Sequence, residues 1–286
     1  MKKLDTEGNN LLLEVEDLQV SFASSAGIAT VVQGISFSVA RNETVGIVGE
    51  SGSGKSMTSL AIMGLLPAKA KTSGSIKLHG EEILGAPERH LRKLRGNRMA
   101  MVFQDPLSSL NPYYTVGMQI AEAYKAHRGG SLRAAKLVAA DAMARVGISD
   151  PKRRVDNYPH QFSGGMRQRI MIAMAMCCEP DLLIADEPTT ALDVTVQAQI
   201  LELMSQLQAE SGTGMVFITH DLAVVSQVSQ RVLVMNKGKV VENGTTEDVF
   251  SNPRDPYTQA LLDAIPRIDD PIRALKKVEM GVVSEA

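Results

Sequence analysis

The sequence has few residues of several types, and each shortage excludes a class of protein. It contains no tryptophan and only two cysteines among its 286 residues. The cysteines are adjacent, Cys177 and Cys178, and adjacent cysteines form neither a framework of spaced disulfides nor a spaced metal clamp. We therefore expect a reduced, cytosolic protein whose two cysteines lie in an apolar helix as core residues.

Long apolar runs and an excess of basic charge are also missing. Residues 1–10 are polar and lack the apolar core of a signal peptide. The longest apolar run, residues 170–178, is far shorter than the roughly 20 residues of a membrane-spanning helix. The net charge is −2, whereas nucleic-acid-binding domains are usually basic. We expect a soluble or peripheral protein without a nucleic-acid partner.

The sequence does contain alternating β-like and helical patterns, which are typical of a mostly parallel α/β sheet. The apolar face of residues 11–22 switches near Asp17, which predicts a bulge in an N-terminal antiparallel strand. A helix is expected from Gly54 to about Leu66, ended by Pro67. Buried or paired strands are expected at Val31–Val39, Thr44–Val48, Ser75–Leu78, Leu182–Ala185, Met215–Thr219 and Arg231–Met235.

The middle of the chain has a helical period instead. Apolar residues recur at spacings of three and four across residues 117–147, with Ser131 able to cap a helix start and Gly147 a helix end. We predict one domain over residues 1–250, with its core in 12–103 and 168–250 and a helical subdomain inserted at 104–167, followed by a short tail over residues 251–286.

A glycine-rich loop between a buried strand and a helix carries the strongest chemical signal. Its pattern is G-x-x-x-x-G-K-[ST], which predicts a phosphate-binding P-loop: Gly49, Glu50, Ser51, Gly52, Ser53, Gly54, Lys55 and Ser56. The glycines allow backbone N–H groups to surround phosphate oxygens, and the following helix directs its positive end at them. Lys55 is expected to reach the β- and γ-phosphates, and Ser56 to ligate Mg²⁺. ATP and Mg²⁺ are the expected cofactors.

A second signal is the apolar strand Leu182–Ala185, which is followed by two carboxylates. Beside a P-loop, Asp186 would hold Mg²⁺ through water and Glu187 would polarise the attacking water. A third is a Ser-Gly-Gly helix start, which offers a second anion-binding terminus: Ser163, Gly164, Gly165, Met166 and Arg167. Two phosphate-binding helix starts in one chain suggest a site shared between two copies.

These motifs, in this order, resemble the ATP-binding subunits of ABC transporters over nearly the whole chain. The resemblance implies a P-loop NTPase core and assigns Phe22 to adenine stacking and Gln104 to sensing Mg²⁺ and contacting the membrane subunit. It makes residues 163–167 the signature that grips the γ-phosphate of a second subunit, although Met166 stands where many members have Gln. It also implies that Asp193 belongs to the loop after the paired acids and that His220 is the switch histidine.

Three further stretches look like the importers of dipeptides, oligopeptides, nickel and glutathione: residues 103–112, 158–162 and 252–262. That branch implies two membrane-spanning permease subunits, an extracytoplasmic solute-binding protein and a second, related ATPase subunit, so that a heterodimer is favoured over a homodimer. The expected location is the cytoplasmic face of the inner membrane. Many members have Gly where Asn42 stands, and Asn also tolerates a left-handed turn. Relatives often continue into a cysteine-bearing segment that is absent here, so no iron–sulfur cluster is expected.

Two other functions compete with transport. One is an ABC-type ATPase that acts on nucleic acid or ribosomes, but such proteins usually add coiled coils, a duplicated core, zinc-cluster cysteines or basic stretches. The other is a regulatory ATP-binding module without turnover, which would be expected to lack Glu187 or His220. Sugar importers tend to have a long regulatory domain, whereas only a short stretch follows Phe250.

Overall fold

Two β-sheets and a set of helices form the part of the chain that the computed structural model describes, which is residues 11–264 without 25, 26 and 191. Sheet A is antiparallel, with strand order β2-β1-β4-β5. Its strands are β1 (Leu11–Ser24), β2 (Gly27–Ala40), β4 (Ala70–Leu78) and β5 (Glu81–Glu82). The change of apolar face predicted near Asp17 is confirmed, because β1 shifts register between Val15 and Leu18 and Asp17 has a φ of 46°.

Sheet B has the order β10-β9-β3-β8-β7-β6 and is parallel except for the edge strand β10. Its strands are β3 (Thr44–Val48), β6 (Met99–Val102), β7 (Leu182–Asp186), β8 (Gly214–Thr219), β9 (Arg231–Asn236) and β10 (Lys239–Thr245). The helices are α1 (Lys55–Ile62), α2 (Glu88–Leu94), α3 (Pro106–Ser109), α4 (Val116–Arg128), α5 (Leu132–Arg145), α6 (Pro151–Arg154), α7 (Gly164–Met176), α8 (Val194–Ser211), α9 (Leu222–Val228), α10 (Thr246–Ser251) and α11 (Pro256–Asp263).

Sheet B lies between two apolar clusters, because successive side chains of its strands point to opposite faces. On β8, Val216 and Ile218 join the cluster shared with sheet A, while Met215 and Phe217 join the cluster shared with the helices. β3 is buried along its whole length, as expected of a parallel strand covered on both faces. The α/β fold predicted from the sequence is confirmed.

The helix after the P-loop ends earlier than the sequence predicts. It covers Lys55–Ile62 and stops before Gly64, whose φ of 62° is left-handed, so the prediction of a helix reaching Leu66 was wrong. A glycine just beyond a helix end adopts this conformation at little cost and ends the helix before a proline is needed. Helices at residues 117–147 are confirmed, and the Ser131 side chain caps α5 by accepting a hydrogen bond from the N–H of Ala134.

The connection from β6 to β7 holds five α-helices, α3 to α7, and α7 contacts α4, α5 and β6. Because α7 runs without a break across 167 and 168, no element ends at that expected boundary, and the division into core and helical subdomain stays a prediction. Cys177 and Cys178 follow the end of α7 instead of lying within it. None of the described helices is long and apolar enough to span a membrane. The expected lack of an iron–sulfur cluster in the tail concerns residues 265–286, outside the described part.

Candidate functional site

The candidate site lies where neighbouring parallel strands end. β3, β8 and β7 are adjacent in sheet B, and the carboxyl ends of parallel strands meet at one edge. The P-loop follows β3, Asp186 ends β7 with Glu187 after it, and His220 follows β8. Sheet topology therefore gathers three motifs that are up to 171 positions apart, as the sequence numbers 49 and 220 show. A cavity of about 740 Å³ opens there, lined by the P-loop together with Gln104, Glu187, Thr190 and His220.

The glycines of the P-loop are required by its backbone. Gly49 and Gly54 have φ values of 152° and 104°, which L side chains rarely adopt. A Cβ on Gly49 would lie 2.1 Å from the carbonyl oxygen of Met235, and one on Gly54 would lie 2.7 Å from that of Val31. The loop is thus wedged between β9 and β2, which fixes its curvature before any ligand binds.

The P-loop has the features of an anion site. No side chain of the described chain caps the start of α1, so its first N–H groups face the loop without a capping partner. Ser53 Oγ is buried and has no hydrogen-bond partner among the described residues. Gly52 has open space where a Cβ would stand, with a φ of 80°. Free donors beside open space fit the phosphate groups of a nucleotide.

Lys55 supplies the positive charge of the loop. Its buried Nζ donates hydrogen bonds to the carbonyl oxygens of Gly49, at 2.7 Å, and Glu50, at 2.9 Å. Burial lowers the pKa of Lys55, while the charges of Glu187 and Asp186 act in the opposite direction. The ammonium is held beside the open cavity and can turn from carbonyl oxygens to phosphate oxygens.

Asp186 is buried behind the P-loop rather than in the cavity wall. Its carboxylate accepts hydrogen bonds from the hydroxyls of Ser56, at 3.3 Å, and Ser59, at 3.4 Å. Burial raises the pKa of Asp186; the Ser56 hydrogen bond lowers it, and the charge of Glu187 raises it further. A hydroxyl and a buried carboxylate are hard oxygen ligands, so these residues fit a Mg²⁺ ion.

Glu187 is the centre of a cluster of polar side chains. Its Oε2 accepts hydrogen bonds from Gln104 Nε2, at 3.2 Å, and Thr190 Oγ1, at 2.9 Å, and its Oε1 lies 3.3 Å from His220 Nδ1. The backbone of Glu187 has a left-handed φ of 49° and donates its N–H to the carbonyl of Ile218. An unusual backbone held by a neighbouring strand points to a functional position.

The signature residues do not line this cavity. The Ser163 side chain caps α7, and Met166 Sδ accepts a hydrogen bond from Arg154 at 3.7 Å. A Cβ on Gly165 would lie 2.6 Å from Val196 at the start of α8, whereas one on Gly164 would meet no described residue within 4 Å. Asp193 caps α8 by accepting from the N–H of Val196 at 3.0 Å. The signature and the loop with Asp193 therefore both lie beside the start of α8, and neither lines the cavity of their own chain.

Some expectations about single residues need adjustment. Phe22 lies on β1 and does not line the cavity, although Val31 of the neighbouring strand does. Four contacts were not predicted from the sequence: those of Ser59, Thr190, Tyr257 and Leu261. The sequence gives a weak signal for Thr190 and Ser59, because each has a hydroxyl group and follows a predicted site residue by three positions. No local pattern links Tyr257 and Leu261 to the P-loop.

Comparison with known proteins gives concordant results. Residues 32–190 match the family described as ABC transporter, and residues 241–285 match the C-terminal region of oligopeptide/dipeptide transporters. The chain is 50% identical over 273 residues to the dipeptide transport ATP-binding protein DppD of Haemophilus influenzae, covering 95% of this chain and 82% of that protein. It is 51% identical over 260 residues to the oligopeptide transport ATP-binding protein OppD of Salmonella typhimurium, covering 91% and 78%.

Solved structures agree with the sequence relatives. A Clostridium perfringens protein that is part of the ABC transporter complex cbiONQ superimposes with a TM-score of 0.72 at 28% identity, covering 85% of this chain and 92% of that one. A dimeric bacterial ABC transporter cassette superimposes with a TM-score of 0.73 at 25% identity, covering 82% and 99%. The same cassette is also known in a post-hydrolysis state with bound ADP and phosphate.

The sheet, the P-loop and the paired acids define a P-loop ATPase in which a long helical segment joins two strands of the core. Its sequence matches then identify the particular kind. The chain belongs to the ABC transporter family, and its C-terminal part is that of the oligopeptide and dipeptide transporters. The family predicted from the sequence motifs is confirmed.

Proposed function

We propose that this chain is the ATP-hydrolysing subunit of an ABC importer and drives uptake of peptides, or of a related small solute, through separate membrane subunits. The Glu187 cluster beside the P-loop carries the ATPase part of the proposal. The match of residues 241–285 and the peptide-transport relatives support the transport part and disfavour an ATPase acting on nucleic acid or ribosomes. The proposed location is the cytoplasmic face of the inner membrane.

Nucleotide binding is assigned to the P-loop and α1. The N–H groups of residues 49–56 and the Lys55 ammonium contact the phosphates, with the positive end of α1 directed at the same anion. Ser56 and Asp186, together with Gln104, would hold Mg²⁺, and the ion would supply positive charge to neutralise the phosphate oxygens. Phe22 remains the proposed contact to adenine.

Hydrolysis is assigned to the cluster around Glu187. Gln104 and Thr190 both donate to Oε2, so the other oxygen, Oε1, is directed towards His220 and the cavity. An oriented carboxylate beside the γ-phosphate can accept the proton of an attacking water, and His220 contacts the γ-phosphate. The three neighbours of Glu187 thus position the general base, and Gln104 also transmits the state of the site to a membrane subunit.

Residues of a second ATPase subunit complete the site in this proposal. Because residues 163–167 and Asp193 do not line the cavity of their own chain, we assign them to the P-loop of another subunit. We favour a related but different second subunit, two permease subunits and an extracytoplasmic binding protein that delivers the solute. ATP held between the two ATPase subunits draws them together, and hydrolysis separates them.

The test uses the chain purified alone and together with its membrane subunits. The isolated chain should bind ATP, and the complex in vesicles should hydrolyse ATP faster when a peptide mixture and the binding protein are added. Lys55→Ala should weaken ATP binding about ten- to a hundredfold, since charged hydrogen bonds contribute about 1.5–3 kcal/mol. Lys93→Ala, at an exposed lysine of α2, is the matched control. Stimulation by RNA or ribosomes instead of peptide would refute the transport function.

A further inference from the structure

The last described helix, α11, touches the nucleotide site. The hydroxyl of Tyr257 accepts a hydrogen bond from the backbone N–H of Glu50 in the P-loop, at 3.1 Å. One helical turn later, Leu261 lines the same cavity as the P-loop. Residues four apart share one face of a helix, so this face of α11 forms a wall of the site. The hydrogen bond between Glu50 and Tyr257 joins residues that are 207 positions apart in the chain.

The start of α11 is fixed in place from behind. Asp255 caps it by accepting from the N–H of Tyr257 at 2.8 Å. The carboxylate of Glu242, on β10, accepts from the N–H groups of Arg254, at 2.7 Å, and Asp255, at 3.2 Å. Tyr257, Leu261 and Leu262 also pack against the apolar cluster on the helical side of sheet B. The tyrosine hydroxyl therefore contacts the P-loop from a helix, α11, whose start is hydrogen-bonded to sheet B.

Glu50 links α11 to Lys55, the lysine of the P-loop. Its N–H bonds to Tyr257, while its carbonyl oxygen accepts from the N–H of Ser53, at 3.2 Å, and from Lys55 Nζ, at 2.9 Å. The backbone of one residue is thus held on both sides, by the tyrosine hydroxyl and by the lysine ammonium. If the hydroxyl is lost, the peptide N–H of Glu50 loses its partner and the loop gains freedom next to Lys55.

We propose that Tyr257 is a positioning residue of the nucleotide site, whose hydroxyl fixes Glu50 and through it the phosphate-binding conformation of the P-loop. The inference rests on the proposed function, because it assigns the cavity to a nucleotide. It gives the C-terminal helix a direct part in ATP binding. The tyrosine itself touches neither phosphate nor water in this scheme.

Tyr257→Phe tests the proposal, because it removes one oxygen atom and keeps the ring in the apolar cluster. One hydrogen bond contributes about 0.5–1.5 kcal/mol, so ATP should bind the isolated full-length chain about two- to tenfold more weakly. In the assembled transporter the KM for ATP should rise by the same factor while kcat changes less than about twofold. The amide hydrogen of Glu50 should exchange faster with solvent. Tyr124→Phe, at another half-buried tyrosine packed against the same cluster, is the matched control.

Each outcome separates this inference from the proposed function. Weaker ATP binding with faster Glu50 exchange, at an unchanged melting temperature, supports the positioning role. Unchanged ATP binding and unchanged exchange in Tyr257→Phe overturn it while leaving the ATPase intact. A lower kcat together with a lower melting temperature would also overturn it, because that pattern indicates a purely structural tyrosine. If the wild-type chain binds no ATP while Tyr257→Phe keeps its fold, the proposed function itself fails.

Discussion

Two helix starts in this chain look alike in sequence and differ in structure. Serine and glycine residues form the start of both α1 and α7, yet only the start of α1 lines the cavity that also contains Glu187 and His220. Asp186, Glu187 and His220 lie around the P-loop and its Lys55, whereas Ser163 caps its own helix and a Cβ on Gly164 would meet no described residue. A glycine-rich helix start becomes a site only when the sheet brings catalytic groups to it. In the proposed function, the start of α7 is one half of the contact with a second ATPase subunit.

The largest effect is expected at Glu187, beside the P-loop. Glu187→Gln keeps the size and most hydrogen bonds of the side chain but removes the base, so turnover of the complex should fall about 10²–10⁴-fold. ATP affinity should change less than about threefold. Glu202→Gln, at an exposed glutamate of α8, should leave turnover unchanged. Turnover similar to wild type in Glu187→Gln would remove the residue from its assigned role.

A charge placed at the second helix start should separate the two sites. Gly164→Asp puts a carboxylate where a second subunit's ATP would approach, and like charges across an interface cost several kcal/mol, equivalent to about a hundredfold in turnover. ATP binding to the P-loop of the variant chain itself should remain normal. The pair of measurements is equilibrium binding on the isolated chain and hydrolysis by the complex. Normal hydrolysis by the complex would contradict a shared site.

The two signature glycines should respond differently to one added methyl group. Gly165→Ala puts a Cβ 2.6 Å from Val196, and overpacking of this kind costs about 1–3 kcal/mol, more than the gain of about 1 kcal/mol from replacing glycine in a helix. Gly164→Ala meets no neighbour within 4 Å in the described part of the chain and should keep or slightly raise stability. Thermal unfolding of the isolated chain should show a melting temperature a few degrees lower for Gly165→Ala alone. Equal melting temperatures would argue against the packing of α7 on α8.

The smallest effect is expected at the amino ends of the strands of sheet B, far from the carboxyl ends that carry the site. This region serves as a control for both helix starts. Asp181 precedes β7 and bonds to Arg98, at 2.8 Å, and to His79, at 3.1 Å. Burial raises the pKa of Asp181, but the hydrogen bonds and charges of Arg98 and His79 outweigh it, and the net pKa is lowered. A lowered carboxyl pKa stabilises the fold above the unfolded value of about 3.9, and this is lost as the pH falls through the folded value.

Asp181→Asn should therefore lower the melting temperature by about 2–4 °C at pH 7 and by less near pH 3, as measured by calorimetry at both pH values. ATP affinity at pH 7 should not change, because Asp181 is at the amino end of the strand whose carboxyl end carries Asp186. A difference in melting temperature that is the same at both pH values would contradict the ion-pair explanation.

Much of the fold follows from local patterns. The buried strand β3 was predicted at its observed bounds, and the bulge at Asp17 was readable from the change in apolar face. These features depend on neighbouring residues, so a short window of sequence contains their cause. The predicted end of α1 was too late because Pro67 is a strong stop signal in the sequence, whereas the left-handed glycine at 64 ends the helix first. The roles proposed for Phe22, Gln104 and the signature residues came from family resemblance and stay predictions.

The sequence by itself determined the P-loop, the paired acids and their family, because strand, loop and helix signals act over a few residues and the motifs keep a fixed order. Only the tertiary structure decided what surrounds them. It placed Gln104, Thr190 and His220 on the same carboxylate and brought Tyr257 to Glu50. Such contacts depend on which strands lie side by side and on where a helix packs, and no local pattern encodes a distance between residues so far apart in the chain.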